Sequence, residues 1–373
     1  MVHRRLQLVD AEAPPRMAPP MPQGFAPDGT APPLRDAQGR SYRYLRISVI
    51  DRCDFACVYC MPHGGEEDHA PRSDMLTFEE IASLVGVFSS IGTERVRLTG
   101  GEPLVRKGIV DLVAQVRQSA PGVHVAMTSN ASRLAHFARP LRDAGLGSIN
   151  ISIDSLDPDR FARLTRGGRL QDVLAGIDAA IDVGLEVKLN TVAMRGENDE
   201  EFAKLVDFAW DRGITPRFIE LMPIGEGARL PFGAYISAKE IAAKLGPRIM
   251  FAINDADGPV GPARYAQSQK DPSKHRVGFI TAISESFCHN CNRVRITSSG
   301  EIRACIASRQ AVSLRELIRQ HHSATGASKL TPRDKLEVAW SIHWALRSKE
   351  AGHFFLAPEH GDHQDVAMSA IGG

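Results

Sequence analysis

Six cysteines set the chemistry open to this chain. Cys53, Cys57 and Cys60 form one tight triplet, Cys288, Cys291 and Cys305 a second, and the sequence holds no other. A disulfide framework does not suit a chain of 373 residues with so few thiols. Two separate soft-metal sites do. Three thiolates can hold three irons of a cubane and leave the fourth iron open to bind and activate a ligand. Zinc with His63 as fourth ligand is the alternative at the first triplet. Its spacing of three residues and then two departs from the paired cysteines of zinc ribbons. His289 is a candidate extra ligand at the second triplet, against the plainer reading of an exposed loop histidine. Arg293 and Arg295 lie two apart, hence on one strand face. Beside an open cluster they could clamp phosphates; the plainer reading is a solvated charge pair.

The elements that must position these groups follow from periodicity. Strands are expected over 44–50, 94–99, 123–129, 148–154, 186–192 and 215–222, with helices between them. Thr77 and Glu80 read as a capping box ahead of Ile81, Leu84, Val85, Phe88 and Ile91 on one helical face. Leu170, Val173, Leu174, Ile177 and Ile181 mark another helix, ended by Gly184; Phe202, Leu205, Val206 and Ala209 mark a third. Six βα units in a row imply parallel strands with right-handed crossovers.

These strands alternate where parallel strands covered on both faces should be almost wholly apolar. Arg46 and Ser48, Arg95, Arg97 and Thr99, His124 and Thr128, Asn150, Ser152 and Asp154, and Lys188 and Asn190 oppose apolar neighbours. One face must be packed by helices and the other must line a cavity. The expected fold is therefore α/β, a curved, incompletely closed barrel whose basic lumen suits an anionic ligand. The first triplet directly follows the first strand, at the end where barrel active sites form.

The first forty residues hold eight of the chain's 23 prolines. Proline resists helices and central strands, so 1–40 reads as a disordered or loosely draped extension. Hydrophobic residues make up 43%, charged residues 24%, and the net charge is +1. That is a globular profile without the bias of a broad nucleic-acid binder. No apolar run is long enough to span a membrane, and no signal-peptide region follows Met1, so a cytoplasmic protein is expected, with neither nucleic acid nor membrane as partner.

Cysteines spaced in this way after a first barrel strand resemble the radical S-adenosylmethionine (SAM) superfamily. Gly100-Gly101-Glu102-Pro103 follows the second strand, where that superfamily holds the amino group of SAM, and Tyr59 matches its aromatic position near adenine. The likeness narrows further. Arg46-Ile-Ser-Val-Ile-Asp-Arg-Cys53, Cys60-Met-Pro62, Arg97-Leu-Thr-Gly-Gly-Glu-Pro103, Asn150-Ile-Ser-Ile-Asp154, Lys188-Leu-Asn190, Arg217-Phe-Ile-Glu-Leu-Met222, Gly261-Pro262, Cys291-Asn-Arg-Val-Arg295 and the final Gly372-Gly373 together resemble the GTP 3′,8-cyclase family of molybdenum cofactor biosynthesis.

The resemblance implies an incomplete (β/α)6 barrel over 41–235 and an auxiliary-cluster region over 236–373. It implies two 4Fe–4S clusters, on Cys53, Cys57 and Cys60 and on Cys288, Cys291 and Cys305, the latter receiving the purine of GTP. Tyr59, Gly101, Ser152 and Met222 match SAM-contacting positions. Arg46, Arg97, Thr128, Lys188, Arg293, Val294 and Arg295 match GTP-contacting positions, while Arg217, Gly372 and Gly373 match catalytic ones. The implied product is (8S)-3′,8-cyclo-7,8-dihydroguanosine 5′-triphosphate. The implied partners are a reducing electron donor, a downstream cyclic pyranopterin monophosphate synthase and a second copy of the chain in a homodimer. Ala131 stands where the family usually has glycine. A peptide-modifying radical SAM maturase would be expected to carry more cysteines, and an iron–sulfur electron carrier four per cubane.

Overall fold

The computed structural model describes residues 16–62, 69–250, 261–308, 310–325, 330–347, 349, 352 and 368. His63, Gly372 and Gly373 lie outside the described residues. Six strands alternate with helices as expected: β1 Tyr44–Ser48, β2 Arg95–Thr99, β3 His124–Ser129, β4 Ser148–Ser152, β5 Glu186–Ala193 and β6 Thr215–Glu220. Around them lie α1 Phe78–Ser90, α2 Ile109–Ser119, α3 Leu134–Asp143, α4 Pro158–Thr165, α5 Leu170–Asp182, α6 Phe202–Asp211, α7 Glu226–Arg229, α8 Ala238–Leu245, α9 Arg315–Thr325 and α10 Pro332–Leu346. The capping box on α1 forms as read: Thr77 Oγ1 accepts from the Glu80 amide, and the Glu80 carboxylate accepts from the Thr77 amide.

All neighbours from β1 to β6 pair in parallel, in chain order. The remaining strands are β7 Ile249–Met250, β8 Ala263–Ser268, β9 Arg276–Ile280, β10 Arg293–Ile296, β11 Glu301–Arg303 and β12 Val312–Ser313. They continue the same sheet at both edges, in the order β12-β11-β10-β1-β2-β3-β4-β5-β6-β9-β8-β7. β10 and β9 join in parallel to β1 and β6. The chain beyond the sixth unit thus flanks the barrel strands on both sides. The apolar face carries Leu45, Ile47, Val96, Leu98, Val125, Met127, Ile149, Ile151, Val187 and Leu189, nearly all solvent-free against the helices. The polar face is left to the lumen.

Of the extension expected to be disordered or loosely draped, residues 1–15 lie outside the described residues, and the rest is docked. From Arg16 on it lies against the body of the protein. Leu34 is 2% exposed and its amide bonds the Ile91 carbonyl. Phe25 meets Trp340 and His343 of α10 edge-on, and Trp340 Nε1 donates to the Pro19 carbonyl. Proline removes ladder donors but leaves apolar side chains and carbonyls free to dock.

Candidate functional site

Register brings the lumen side chains into rows. Arg295 pairs with Arg46, and Arg46 with Arg97. Thr128 pairs with Asn150 and Asn150 with Lys188. Ser152 pairs with Asn190 and Asn190 with Arg217. Residues at matched positions point to the same side of the pleat. They line one cavity of about 510 Å³ that also takes in all six cysteines, Tyr59, Gly101, Met222 and Arg293. Val294 lies between the two arginines with its side chain on the apolar face, 1% exposed in the core.

The first triplet sits in the loop after β1, pinned from below. Ala56 and Val58 amides donate to the Thr165 and Leu164 carbonyls at the end of α4. Arg166 Nη1 donates to the carbonyls of Met61 and Pro62 at 2.8 and 2.7 Å. Asp54 ties the loop to the one after β3 through Asn130 Nδ2 and Ser132 Oγ, both at 2.8 Å. The glycine turn after β2 presses on it. A Cβ on Gly101 would lie 2.2 Å from the Arg52 carbonyl oxygen, and one on Gly100, at φ +151°, 2.3 Å from that of Ile50. Only glycine allows that approach. Glu102 locks the turn by accepting from the Asn130 and Leu104 amides and Ser129 Oγ. Tyr59 is held from behind, its hydroxyl donating to Asp154 Oδ2 at 2.7 Å.

The second triplet flanks β10 and β11. Cys288 opens a short turn closed by the Cys291 amide on its carbonyl, and Cys305 follows β11. The two sites differ electrically. Burial, eased by the Phe55 amide, pushes the Cys53 thiol up to about 12, and burial also pushes Cys57 well up. Burial would raise Cys291 too, but Arg293 and Lys349 beside it bring its thiol down to about 6. The donor set fits clusters. All six thiols are half-buried and line one cavity, with N–H donors aimed at two of the sulfurs: Phe55 N and Asn130 Nδ2 at Cys53, and Lys349 Nζ at Cys291. No group of three His, Cys, Asp or Glu side chains converges on a single-ion site among the described residues.

The basic wall carries strain that an anion would relieve. Burial, and Arg295 beside it, lower the Arg46 guanidinium well below its usual range. Burial and Arg293 bring Arg295 down to about 10. Arg217 is 9% exposed, with Nε and Nη2 buried and unpartnered, and burial lowers it as well. A Cβ on Gly278 would stand 2.6 Å from Arg217 Cγ, so this glycine makes room for it. Arg97 is fixed by the Met127 carbonyl at 2.7 Å, by Thr128 Oγ1 and by the Tyr44 hydroxyl. Lys188 rests on Glu186 at 2.5 Å.

Several lining residues were not singled out from sequence as site residues. Asn190, whose Oδ1 is buried without a partner, was visible in the polar alternation of β5. Tyr44 also keeps step with Arg46 and Ser48 on β1, whereas Tyr265 and Lys349 had no such signal. Met368, near the chain's end, also lines the cavity.

The chain is similar to known proteins along most of its length. A family model described as Radical SAM superfamily matches residues 47–209, and one described as Molybdenum Cofactor Synthesis C matches 214–353. A protein of Pseudomonas aeruginosa named GTP 3′,8-cyclase 1 is 44% identical over 86% of this chain and 94% of its own. One of Marinobacter nauticus named GTP 3′,8-cyclase is 46% identical over 91% and 98%. Among solved structures, Streptococcus suis SuiB bound to precursor peptide SuiA is 15% identical, covering 87% of this chain and 67% of its own, with TM-score 0.49.

Proposed function

This chain belongs to the GTP 3′,8-cyclase family of radical SAM enzymes, and from that membership we propose how its own residues divide the work. The family function is cyclisation of GTP in molybdenum cofactor biosynthesis, with 4Fe–4S clusters and SAM as cofactors. The observation that carries the assignment is the single basic cavity onto which both cysteine triplets open.

Cys53, Cys57 and Cys60 would hold one cluster, with SAM framed by Tyr59, Gly101, Ser152 and Met222; Cys288, Cys291 and Cys305 would hold the other. When bound, the reduced first cluster and SAM supply the hydrogen-abstracting radical. The residues do the rest. Arg46, Arg97, Lys188, Arg293 and Arg295 hold the triphosphate by charge-assisted hydrogen bonds in a confined space, with Thr128 as a hydroxyl contact and Val294 backing the two arginines from the core. Arg217 offers its unpartnered Nε and Nη2 to the substrate. A fixed ribose is what lets one hydrogen be chosen over its neighbours.

Residues 41–235 form the SAM-cleaving unit in this reading, and 236–373 carry the second cluster. A low-potential reductant, a downstream cyclic pyranopterin monophosphate synthase and a homodimeric assembly complete it. No helix among the described residues is long and apolar enough to cross a membrane. Gly372 and Gly373 act at the reacting ribose; the support is Met368, which lines the cavity from the same tail.

Anaerobic reconstitution tests the reading. The chain should take up ~8 Fe. Changing Cys53, Cys57 and Cys60 to Ala should leave ~4 Fe and abolish SAM cleavage, and the same change at Cys288, Cys291 and Cys305 should leave ~4 Fe and stop cyclisation. Zinc without iron, or SAM cleavage without a cyclised product from GTP, would falsify it. Deleting Gly372 and Gly373 should spare iron content and GTP binding but collapse product yield. Full yield from that truncation would make the tail an ordinary loose end.

A further inference from the structure

The second triplet is backed by residues from both ends of the chain. Lys349 is 5% exposed. Its Nζ points at Cys291 Sγ at 3.6 Å, donates to the Arg293 carbonyl at 3.0 Å and lies 4.6 Å from the centre of the Tyr42 ring. Tyr42, 1% exposed, donates its hydroxyl to Asp36 Oδ2 at 2.5 Å. The same Asp36 oxygen pairs with Arg40 Nε at 2.5 Å, and Arg40 Nη1 donates to the Cys288 carbonyl at 2.7 Å. Segment 36–42 and Lys349 thus brace two of the three cysteines from behind.

Lys349 is the unusual member. A buried ammonium is costly unless negative charge lies close by. Its contacts are a sulfur, a carbonyl and a ring face, and among the described residues no carboxylate forms an ion pair with it. The negative charge it faces is therefore the one the triplet itself carries when loaded. We propose that Lys349 is a positioning residue that sets the reduction potential of the second cluster, seated for that task on Tyr42 and the Arg293 carbonyl. The proposal rests on the reading that Cys288, Cys291 and Cys305 hold a 4Fe–4S cluster.

The sign follows from charge. One-electron reduction makes the cluster one unit more negative. A fixed positive charge and an N–H···S contact stabilise that reduced form more than the oxidised one, and so raise the potential. Removing them lowers it. The ring seat keeps the ammonium from turning away to solvent, because cation and ring face attract each other in a dry setting.

The experiment is a dithionite titration of the reconstituted full-length chain followed by electron paramagnetic resonance. It is repeated with Cys53, Cys57 and Cys60 changed to Ala, so that the second cluster alone reports. Lys349→Met should keep the iron and shift the second cluster's midpoint to more negative potential. Lys349→Arg should move it back toward the parent. A parental midpoint in Lys349→Met at equal iron overturns the proposal. So does loss of the second cluster's iron in Lys349→Met, which marks a structural prop. No iron at the second triplet of the parent chain overturns the underlying cluster assignment instead, and the iron count shows this before any titration begins.

Discussion

Tyr44 stands at the foot of the lumen with its hydroxyl against Arg97, while Arg46 and Arg95 add their charge. Burial would raise its pKa, but the three arginines overcome it and bring the phenol down to about 8 from its usual 10. A folded-state pKa below the unfolded one adds stability that is fully present above pH 10 and is lost as pH falls through about 8. At the alkaline end this is worth on the order of 2 kcal/mol. Tyr44→Phe should lose that increment, and with it the phenolate absorbance that rises near pH 8 in the ligand-free chain. GTP bound in the lumen should push the absorbance step upward, because its phosphates draw the same arginines. Superimposed ultraviolet titrations of the parent and Tyr44→Phe would sink this account. The arginines were readable from sequence because alternation along a strand is local. The bond between Tyr44 and Arg97 was not, since the two stand on different strands.

At the scale of elements, the loop after β3 shows where a single residue strains a site. Asn130 reaches the Cys53 sulfur and Asp54, and its amide bonds Glu102. The next residue, Ala131, holds φ at +62°. The family resemblance implies glycine at this position, and a left-handed backbone is one that glycine adopts freely. A left-handed alanine costs roughly 1–2 kcal/mol, whereas the buried methyl returns about 0.8 kcal/mol. Strain outweighs burial, so Ala131→Gly should stabilise the metal-free chain by a few tenths to about 1 kcal/mol in urea unfolding. A lower midpoint in urea would show that methyl packing outweighs strain here. The six βα units, the α1 capping box and the glycine turn were legible because each is written in consecutive residues. The placement of β10 beside β1 and of β9 beside β6, on opposite sides of the six barrel strands, was not. Nothing local to 276–280 or 293–296 says which distant strand each will pair with, and such pairings are decided by the folded whole.

At the scale of the molecule, segments far apart in the chain, around Arg40 and Lys349, meet at the second triplet. The segment 16–35 covers α10 and the α1 end of the barrel. Arg16 bridges to Val312, the Pro32 carbonyl meets His343 at 3.1 Å, and Leu34 is sealed beside Ile91. Composition alone made this stretch look unstructured, because proline density reports missing ladders and says nothing of docking onto a surface built elsewhere. Its contribution can be bounded. Removing one buried leucine side chain costs about 2–5 kcal/mol, and Phe25 adds its packing on Trp340 and His343. Deleting residues 1–35 should therefore lower stability in urea by about 3–5 kcal/mol and raise the solvent exposure of Trp340, read by its fluorescence. The first triplet lies in the β1 loop, pinned by α4 and the β3 loop, none of which touches this segment through the contacts above. Iron at that triplet, and SAM cleavage, should survive the deletion. Asp36, Arg40 and Tyr42 remain in the shortened chain, but with Leu34 gone the Tyr42 amide loses its bond to the Leu34 carbonyl. The second cluster should then be the one whose iron content falls first as the protein is warmed. An unchanged urea midpoint, or iron lost first from Cys53, Cys57 and Cys60, would mean that the N-terminal segment merely rests on the protein and braces nothing.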